Sequence, residues 1–129
     1  MREILFKGKT IANESKWVEG FYNHIPCGRF LCDEHCIQTI AEDGRIGQLY
    51  DVYESTVGQF TGLTDKNGKK IFEGDIIRVG GDTYACYWDN GNVEFIVSNP
   101  RESFGLAYAA YPCMEVIGNI HDNPKLLED

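Results

Sequence analysis

One short stretch, from Ile25 to Cys36, concentrates the side chains that metal sites and nucleophilic catalysis use most often. It contains Cys27, Cys32, His35 and Cys36, and His24 lies just upstream. Thiolate and imidazole are the ligands that zinc prefers, so a small zinc-binding module is one interpretation. Structural zinc sites usually take one ligand pair from a tight turn and a second pair from further along the chain. Here all the candidates crowd together, which favours free thiols and leaves zinc as the alternative.

The same stretch places Cys32 and Cys36 near histidines, the pairing that activates a cysteine nucleophile. Nucleophile and base normally meet in space from distant segments, so closeness in sequence supports this hypothesis little. Cys86 and Cys113 bring the number of cysteines to five, and an odd number excludes a complete set of disulfides within one chain. Reduced thiols in a cytoplasm fit that number better.

No other combination of residues has the spacing of a catalytic or cofactor site. Gly80-Gly81 lacks the lysine and the following helix of a phosphate-binding loop. The aspartates and glutamates are scattered and define no carboxylate pair. We therefore predict no enzymatic activity and no cofactor, and we assign no catalytic, cofactor-binding or metal-binding residue.

Composition indicates a globular, turn-rich chain. Its 129 residues include 43% hydrophobic side chains and 14 glycines, which suits one domain, or one domain with a substantial extension. No apolar run approaches the roughly 18 residues that a membrane span needs. The N-terminus MREILFKGK alternates charge with hydrophobe, unlike a signal peptide. These features predict a cytoplasmic protein with no membrane partner.

The formal net charge is −8, and the acidic excess is concentrated in the last third of the chain. Residues 81–129 contain 2 basic and 8 acidic side chains. Such a field repels phosphate backbones and disfavours nucleic acid as a partner. The locally basic stretch, with Lys66, Lys69, Lys70 and Arg78, keeps nucleic-acid binding as an alternative.

Alternating apolar residues and Asx-Gly turns predict a series of β-hairpins. The expected pairs are Arg2–Lys9 with Trp17–Ile25, Ile37–Glu42 with Ile46–Val52, and Thr83–Trp88 with Val93–Val97. Gly20 interrupts one strand, as expected at a bulge or where another backbone approaches closely. Three Asx-Gly turns in one short chain are typical of a meander.

Two turns organise the stretch from Thr56 to Arg78. Asn67-Gly68 suits a two-residue hairpin turn in which both residues take positive φ. Gly74 suits a left-handed or bulge position, and Asp75 after it can bond the backbone two residues further on. The β-rich run that follows predicts another strand.

The chain after Ser98 is expected to form a short helix and a final strand. Pro100 suits the first helical position, and four residues follow at helical spacing: Phe104, Ala107, Tyr108 and Tyr111. Gly105 weakens the helix, so a loop over the core is the alternative. Met114–Ile120 is predicted to be a strand with a bulge at Gly118.

Several separate blocks, in the right order, resemble the YopX-like family of bacteriophage and prophage proteins of Gram-positive bacteria. They are FKGK from Phe6, KWVEGFY from Lys16, TVGQFTGLTDKNGKKIFEGDIIR from Thr56 and EVIGNIHDNPKLL from Glu115. The similarity fades between Ile25 and Ile46, so it gives the cysteines and histidines no role. The resemblance implies an SH3-type small barrel in the C-terminal half. It implies no catalytic or binding residue, because the family's members are uncharacterised.

Together these observations predict a mainly β chain with at most one or two short helices. Residues 1–55 are expected to form an N-terminal β segment or subdomain, and residues 56–129 a YopX-like domain built as a small SH3-like β-barrel. The expected function is that of a phage or prophage accessory protein in the host bacterial cytoplasm, a non-enzymatic module that binds a host or phage protein. Free barrel edges would also allow a homo-oligomer.

Five aromatic residues are candidates for contacts with a partner, with core packing as the alternative. They are Trp17, Tyr22, Tyr84, Tyr108 and Tyr111. A nucleic-acid-binding small barrel and a zinc-binding module around Cys27 to Cys36 are the alternative functions.

Overall fold

The computed structural model of this protein describes residues 3–26, 34–106 and 113–127. These residues form eleven antiparallel β-strands and short 3-10 turns, with no α-helix among them. The strands are Phe6–Lys9 (β1), Trp17–Ile25 (β2), Glu34–Ile40 (β3), Ile46–Asp51 (β4), Gly58–Thr64 (β5), Lys70–Phe72 (β6), Asp75–Val79 (β7), Asp82–Asp89 (β8), Glu94–Ser98 (β9), Ser103–Gly105 (β10) and Glu115–Asn119 (β11). The 3-10 turns include Glu54–Thr56 and Pro124–Leu127. The prediction of a mainly β fold is confirmed.

The chain packs as two compact units, Met1–Gln59 and Phe60–Asp129. Strand β5 runs through the boundary. Its first two residues pair with β1, and its later part pairs with β6. The domain boundary between residues 55 and 56 stays a prediction. No helix in the described ranges has the length and apolar character needed to cross a membrane.

The first unit is built on an antiparallel sheet in the order β4-β3-β2-β1. Its buried core residues are Val18, Ile37 and Val52. The predicted pairing of β1 with β2 and of β3 with β4 is confirmed. Gly20 lies where the β3 backbone approaches closely, since an added Cβ would stand 2.0 Å from the carbonyl oxygen of Gln38.

The second unit contains the β5–β6 hairpin and a five-stranded antiparallel sheet in the order β10-β9-β8-β7-β11. The predicted β8–β9 hairpin is confirmed. Its buried core residues are Ile71, Ile77, Tyr84, Cys86, Val97, Leu106 and Met114. Within the described residues this sheet is open, with β10 and β11 at its edges.

The β5–β6 turn differs from the predicted two-residue turn. Only Gly68 has a positive φ, of 81°, and the Asp65 amide donates to the carbonyl of Lys69 at 2.8 Å. The loop is therefore three residues long with a glycine in the left-handed position. Asp65 organises it, because one carboxylate oxygen accepts from the amides of Asn67 and Lys69 at 2.9 Å.

The β6–β7 turn agrees with the prediction at one residue and differs at the next. Gly74 has a φ of 94°, as the left-handed position requires. At Asp75 the carboxylate accepts from the amide of Phe72 at 2.8 Å, a hydrogen bond that runs backward along the chain, whereas the sequence suggested a bond two residues further on. Its side chain is buried, so the carboxylate satisfies an amide inside the core.

The helix predicted after Pro100 is wrong where the structure describes it. Phe104 lies in β10 and pairs with Val97. The Asn99 side chain accepts from the amides of Arg101 and Glu102 and closes the β9–β10 turn. The other three residues at helical spacing lie outside the described residues: Ala107, Tyr108 and Tyr111.

The last strand has the predicted bulge. The register of β11 against β7 shifts between Val116 and Gly118, so Ile117 is the extra residue and the bulge lies one position before the expected one. In the β8–β9 turn, Val93 has a φ of 54°. A β-branched residue rarely adopts this conformation, which makes Val93 a strained position.

Candidate docking face

The histidines of the Cys/His stretch form a cross-strand contact within the first unit. His24 of β2 pairs with His35 of β3, and their rings stack with centroids 4.5 Å apart. The Tyr22 hydroxyl lies 2.5 Å from Nδ1 of His35, and Nε2 of His35 lies 3.4 Å from a carboxylate oxygen of Glu54. Both ring nitrogens of His35 therefore have partners.

This contact joins side chains of β2 and β3 and so helps to hold the two strands together. Burial raises the pKa of Tyr22, and the nearby Glu54 charge raises it further, so the phenol stays protonated. Next along β3, the thiol of Cys36 lies 3.4 Å from Asp51. Because neighbouring strand residues point to opposite faces, Cys36 does not join the histidines.

The described residues do not assemble a metal site. No group of three histidine, cysteine or carboxylate side chains among them has a geometry that could hold an ion. Cys36 and Cys86 are buried free thiols, and Cys113 is an exposed one. Cys27 and Cys32 lie outside the described residues, so the zinc interpretation stays a prediction.

The basic stretch is partly neutralised by one acid. Glu115 accepts from the Arg78 guanidinium and lies 3.6 Å from Nζ of Lys66. The hydrogen bond from Arg78 and the charge of Lys66 lower the pKa of Glu115, which stays ionised. The Lys70 ammonium lies 5.8 Å from the centre of the Phe60 ring. The four cations are thus not a single uncompensated surface for phosphate groups.

Of the aromatic candidates that the structure describes, one is a core residue and two are half-buried. Tyr84 is 3% exposed, and its hydroxyl donates to Glu102 at 2.6 Å. That hydrogen bond, together with burial, raises the pKa of Tyr84 to about 12. Trp17 and Tyr22 are half-buried. Tyr108 and Tyr111 lie outside the described residues.

A different set of apolar side chains is exposed on one face of β2, β3 and β4. The exposed fractions are 52% for Phe21, 42% for Ile40, 78% for Ile46 and 53% for Leu49. Single exposed hydrophobic residues are normal on protein surfaces, whereas a contiguous group indicates an interaction site. We call these four residues the docking face.

Strand register shows that the four residues are neighbours. Phe21 pairs with Gln38, and Gln38 pairs in turn with Leu49. Directly paired residues on neighbouring strands point to the same face. Ile40 follows Gln38 by two positions on β3 and pairs with Ile46. The docking face therefore spans three adjacent strands.

A bulge in β4 brings its two apolar residues to the same side. Between the Gln38–Leu49 and Ile40–Ile46 pairs, β3 advances two residues and β4 three. The Thr39 hydroxyl accepts from the amide of Gln48 at 2.9 Å and donates to its carbonyl at 3.1 Å. These side-chain bonds replace the backbone hydrogen bonds between β3 and β4 that the bulge interrupts. The extra residue rotates Ile46 onto the face of Leu49.

The docking face has the composition of a protein-binding surface. Apolar side chains from three strands lie around Gln38, which is paired with both Phe21 and Leu49. Among the described strands β4 pairs only with β3, although the carbonyl of its last residue, Asp51, accepts from the Ile11 amide at 2.9 Å. An exposed edge offers unpaired backbone groups to a partner. Sequence reasoning did not identify these residues. The sequence does show apolar residues close to one hairpin turn, which is a weak indication of such a surface. It does not show which side of the sheet stays exposed to solvent.

Comparisons with known proteins identify the fold and a family. The family model described as YopX protein matches residues 22–128, more than four fifths of the chain. The crystal structure of protein EF1440 from Enterococcus faecalis is similar to this one with a TM-score of 0.59 and 23% sequence identity, covering 99% of this chain and 100% of that one. At that identity the likeness concerns the fold alone. No curated protein matches the chain with significance.

Proposed function

We propose that this chain, a member of the YopX protein family, is a non-enzymatic module that binds another protein through the docking face. The family match brings no activity with it, so the proposal rests on the surface itself. The observation that carries it is the contiguous group of exposed apolar side chains on β2, β3 and β4.

The free energy available from this face is moderate. Burying an apolar side chain fully is worth about 1.5–3 kcal/mol, and each of the four is roughly half exposed, so covering all of them contributes about 3–6 kcal/mol. A micromolar complex needs about 8 kcal/mol. The rim of the face and the free edge of β4 must therefore contribute contacts as well, as in interfaces with an apolar centre and a polar rim.

The partner in this proposal is a host or phage protein met in the bacterial cytoplasm. The support for a phage or prophage origin is the resemblance of the blocks at Thr56 and Glu115, and the support for a reducing compartment is the odd number of cysteines. An SH3-type barrel in the second unit belongs to the same proposal. It is supported by the short antiparallel succession of β7, β8 and β9 joined by tight turns.

Affinity capture with matched variants tests the function. The tagged full chain, its Phe21→Ser/Leu49→Ser variant and a Val93→Ser control are used to capture proteins from bacterial lysate with and without nuclease, and bound proteins are quantified by mass spectrometry. Val93 is also exposed but lies in the second unit. A protein captured by the wild type and the control, but not by the double variant, supports the proposal. Capture that is the same for all three, or lost with nuclease, contradicts it.

A further inference from the structure

The charges around the docking face define the kind of partner that fits it. Glu19 on β2 and Asp51 on β4 each lie two residues from a docking-face residue on the same strand, so their side chains point to the same side. Glu42 lies just beyond β3, at the hairpin end of the face. All three side chains are exposed. An acidic rim thus borders the apolar centre on three sides.

The nearby basic residues already have contacts. Arg45 lies 3.2 Å from Asp43 in the β3–β4 turn. Lys7 is paired in register with Glu19, and its ammonium stands 4.9 Å from the centre of the Trp17 ring. With Asp43 included, the described residues bordering the face carry four acids and three bases, since Lys9 lies two residues from Lys7 on the same side of β1. Their sum is a net negative charge of one.

The width of the face matches a single helix. Neighbouring strands lie about 4.8 Å apart, so β2 and β4 are separated by about 10 Å. An α-helix with its side chains is about 10–12 Å across. A helix whose apolar stripe packs against the docking face would have residues on either side of that stripe. Those residues would lie above Glu19 on one side and above Asp51 on the other.

We propose that the docking face receives an amphipathic helix of another protein, with an apolar stripe flanked by lysine or arginine. This inference rests on the proposed function and names the chemistry of its partner. A second copy of this chain does not fit, because face-to-face association would bring one acidic rim onto another. Basic flanks instead meet the rim with opposite charge, speeding association and selecting against acidic competitors.

Model peptides provide the test. Two probes of about 18 residues, long enough to hold a helix, carry leucine at helical spacing and either lysine or glutamate elsewhere. A third carries lysine with serine in place of leucine. Binding of each labelled peptide to the full chain is measured by fluorescence anisotropy. We expect the lysine–leucine peptide to bind and the other two not to bind.

Variants locate the binding. Phe21→Ser/Leu49→Ser should weaken binding of the lysine–leucine peptide about thirtyfold, which corresponds to a loss of roughly 2 kcal/mol of apolar burial. Glu19→Gln/Glu42→Gln should weaken binding of the same peptide mainly by lowering the association rate constant. Glu73→Gln/Glu94→Gln changes the net charge equally but in the second unit, and should leave binding unchanged. The circular dichroism spectrum and melting temperature of each variant confirm that it folds.

Other outcomes overturn the inference. If the glutamate–leucine peptide binds as tightly as the lysine–leucine peptide, the acidic rim does not select for basic helices. The same conclusion follows if both charge variants lose the same amount of affinity for the lysine–leucine peptide. Absence of lysine–leucine binding would mean that no such helix is received. Sedimentation velocity showing a dimer that Phe21→Ser/Leu49→Ser dissociates would mean that a second copy occupies the face. A failure here, alongside face-dependent capture of a protein from lysate, would leave the proposed function standing.

Discussion

Asp65 joins the β5–β6 turn to the last strand, and removing its carboxylate is expected to destabilise the second unit. Its Oδ1 accepts from the amides of Asn67 and Lys69 at 2.9 Å. Its Oδ2 accepts from the amide of Val116 at 2.9 Å, across 51 positions of sequence. The residue is only 5% exposed, so water replaces these bonds poorly.

The expected cost follows from the three amides. After substitution, water can reach the two turn amides, so losing each of their hydrogen bonds costs about 1 kcal/mol. The Val116 amide lies within the sheet, and leaving it without an acceptor costs about 1–3 kcal/mol. Asp65→Ala should therefore lose about 3–5 kcal/mol of unfolding free energy, which lowers the melting temperature by about 10–20 °C. Asp65→Asn keeps one carbonyl oxygen and should lose less.

The chain offers a matched control and its own reporter. Asp43 makes a single bond of the same kind, to the amide of Arg45 at 3.0 Å, but in an exposed turn, so Asp43→Ala should cost about 0.5–1 kcal/mol. Of the two tryptophans, only Trp88 lies in the second unit. Urea denaturation followed by fluorescence in a Trp17→Phe background therefore reports that unit. Equal losses in Asp65→Ala and Asp43→Ala would mean that the buried bonds of Asp65 contribute no more than an exposed turn bond.

The same carboxylate gives a pH dependence with a defined sign. Burial raises the pKa of Asp65, but the hydrogen bonds from the Val116, Lys69 and Asn67 amides outweigh burial and lower the pKa below its ordinary 3.8. A group whose pKa is lower in the folded state stabilises the protein above its ordinary pKa. This stability is lost as the pH falls from 3.8 through the lower folded value. Asp65→Asn should remove that part of the acid sensitivity.

Three further substitutions test other parts of the structure. Gly20→Ala should cost about 3 kcal/mol or more in urea denaturation, because the new Cβ would lie 2.0 Å from the carbonyl oxygen of Gln38; a smaller loss would show that β3 can move away. Val93→Asn should stabilise the chain by about 1 kcal/mol by relieving the φ of 54°, and an unchanged melting temperature would contradict this strain. The pKa of Tyr84 is about 12 against an ordinary 10.0, so folding favours the protonated phenol, and stability should fall as the pH rises from 10 to 12. Tyr84→Phe, which removes the hydrogen bond to Glu102, should flatten that fall, and an unchanged alkaline profile would argue against it.

The sequence predicted the hairpins well because their signals are local. Trp17–Ile25 was bounded by a polar turn and by Pro26, and β2 has the same limits. Glycine signals were equally direct at Gly20 and Gly74, where close backbone approach and positive φ leave little choice of residue.

Long-range contacts were the part that the sequence could not supply. Asn67-Gly68 suggested a two-residue turn, whereas Asp65 organises a longer one and also bonds a distant strand. The spacing around Phe104 suited a helix, but pairing with Val97 made it a strand, as tertiary context often overrides local propensity. The Thr56 to Arg78 block that identifies the family is thus largely architectural, since its buried aspartates hold turns together.

The docking face was invisible for a related physical reason. Phe21 and Tyr22 are adjacent aromatic residues, and only the sheet decides that one is exposed while the other packs with the core. Ile46 and Leu49 are three residues apart, a spacing that does not share a face in a regular strand. The β4 bulge that brings them together depends on the pairing with Thr39.

Site-specific photo-crosslinking in living bacteria shows whether the docking face contacts a partner protein. A photoreactive phenylalanine analogue is placed at Phe21, at Leu49 or, as a control, at Val93, and crosslinked products are identified by mass spectrometry. We expect the first two positions to capture the same protein and Val93 not to capture it. Crosslinks from Val93 alone, or none from the docking face, would contradict this expectation.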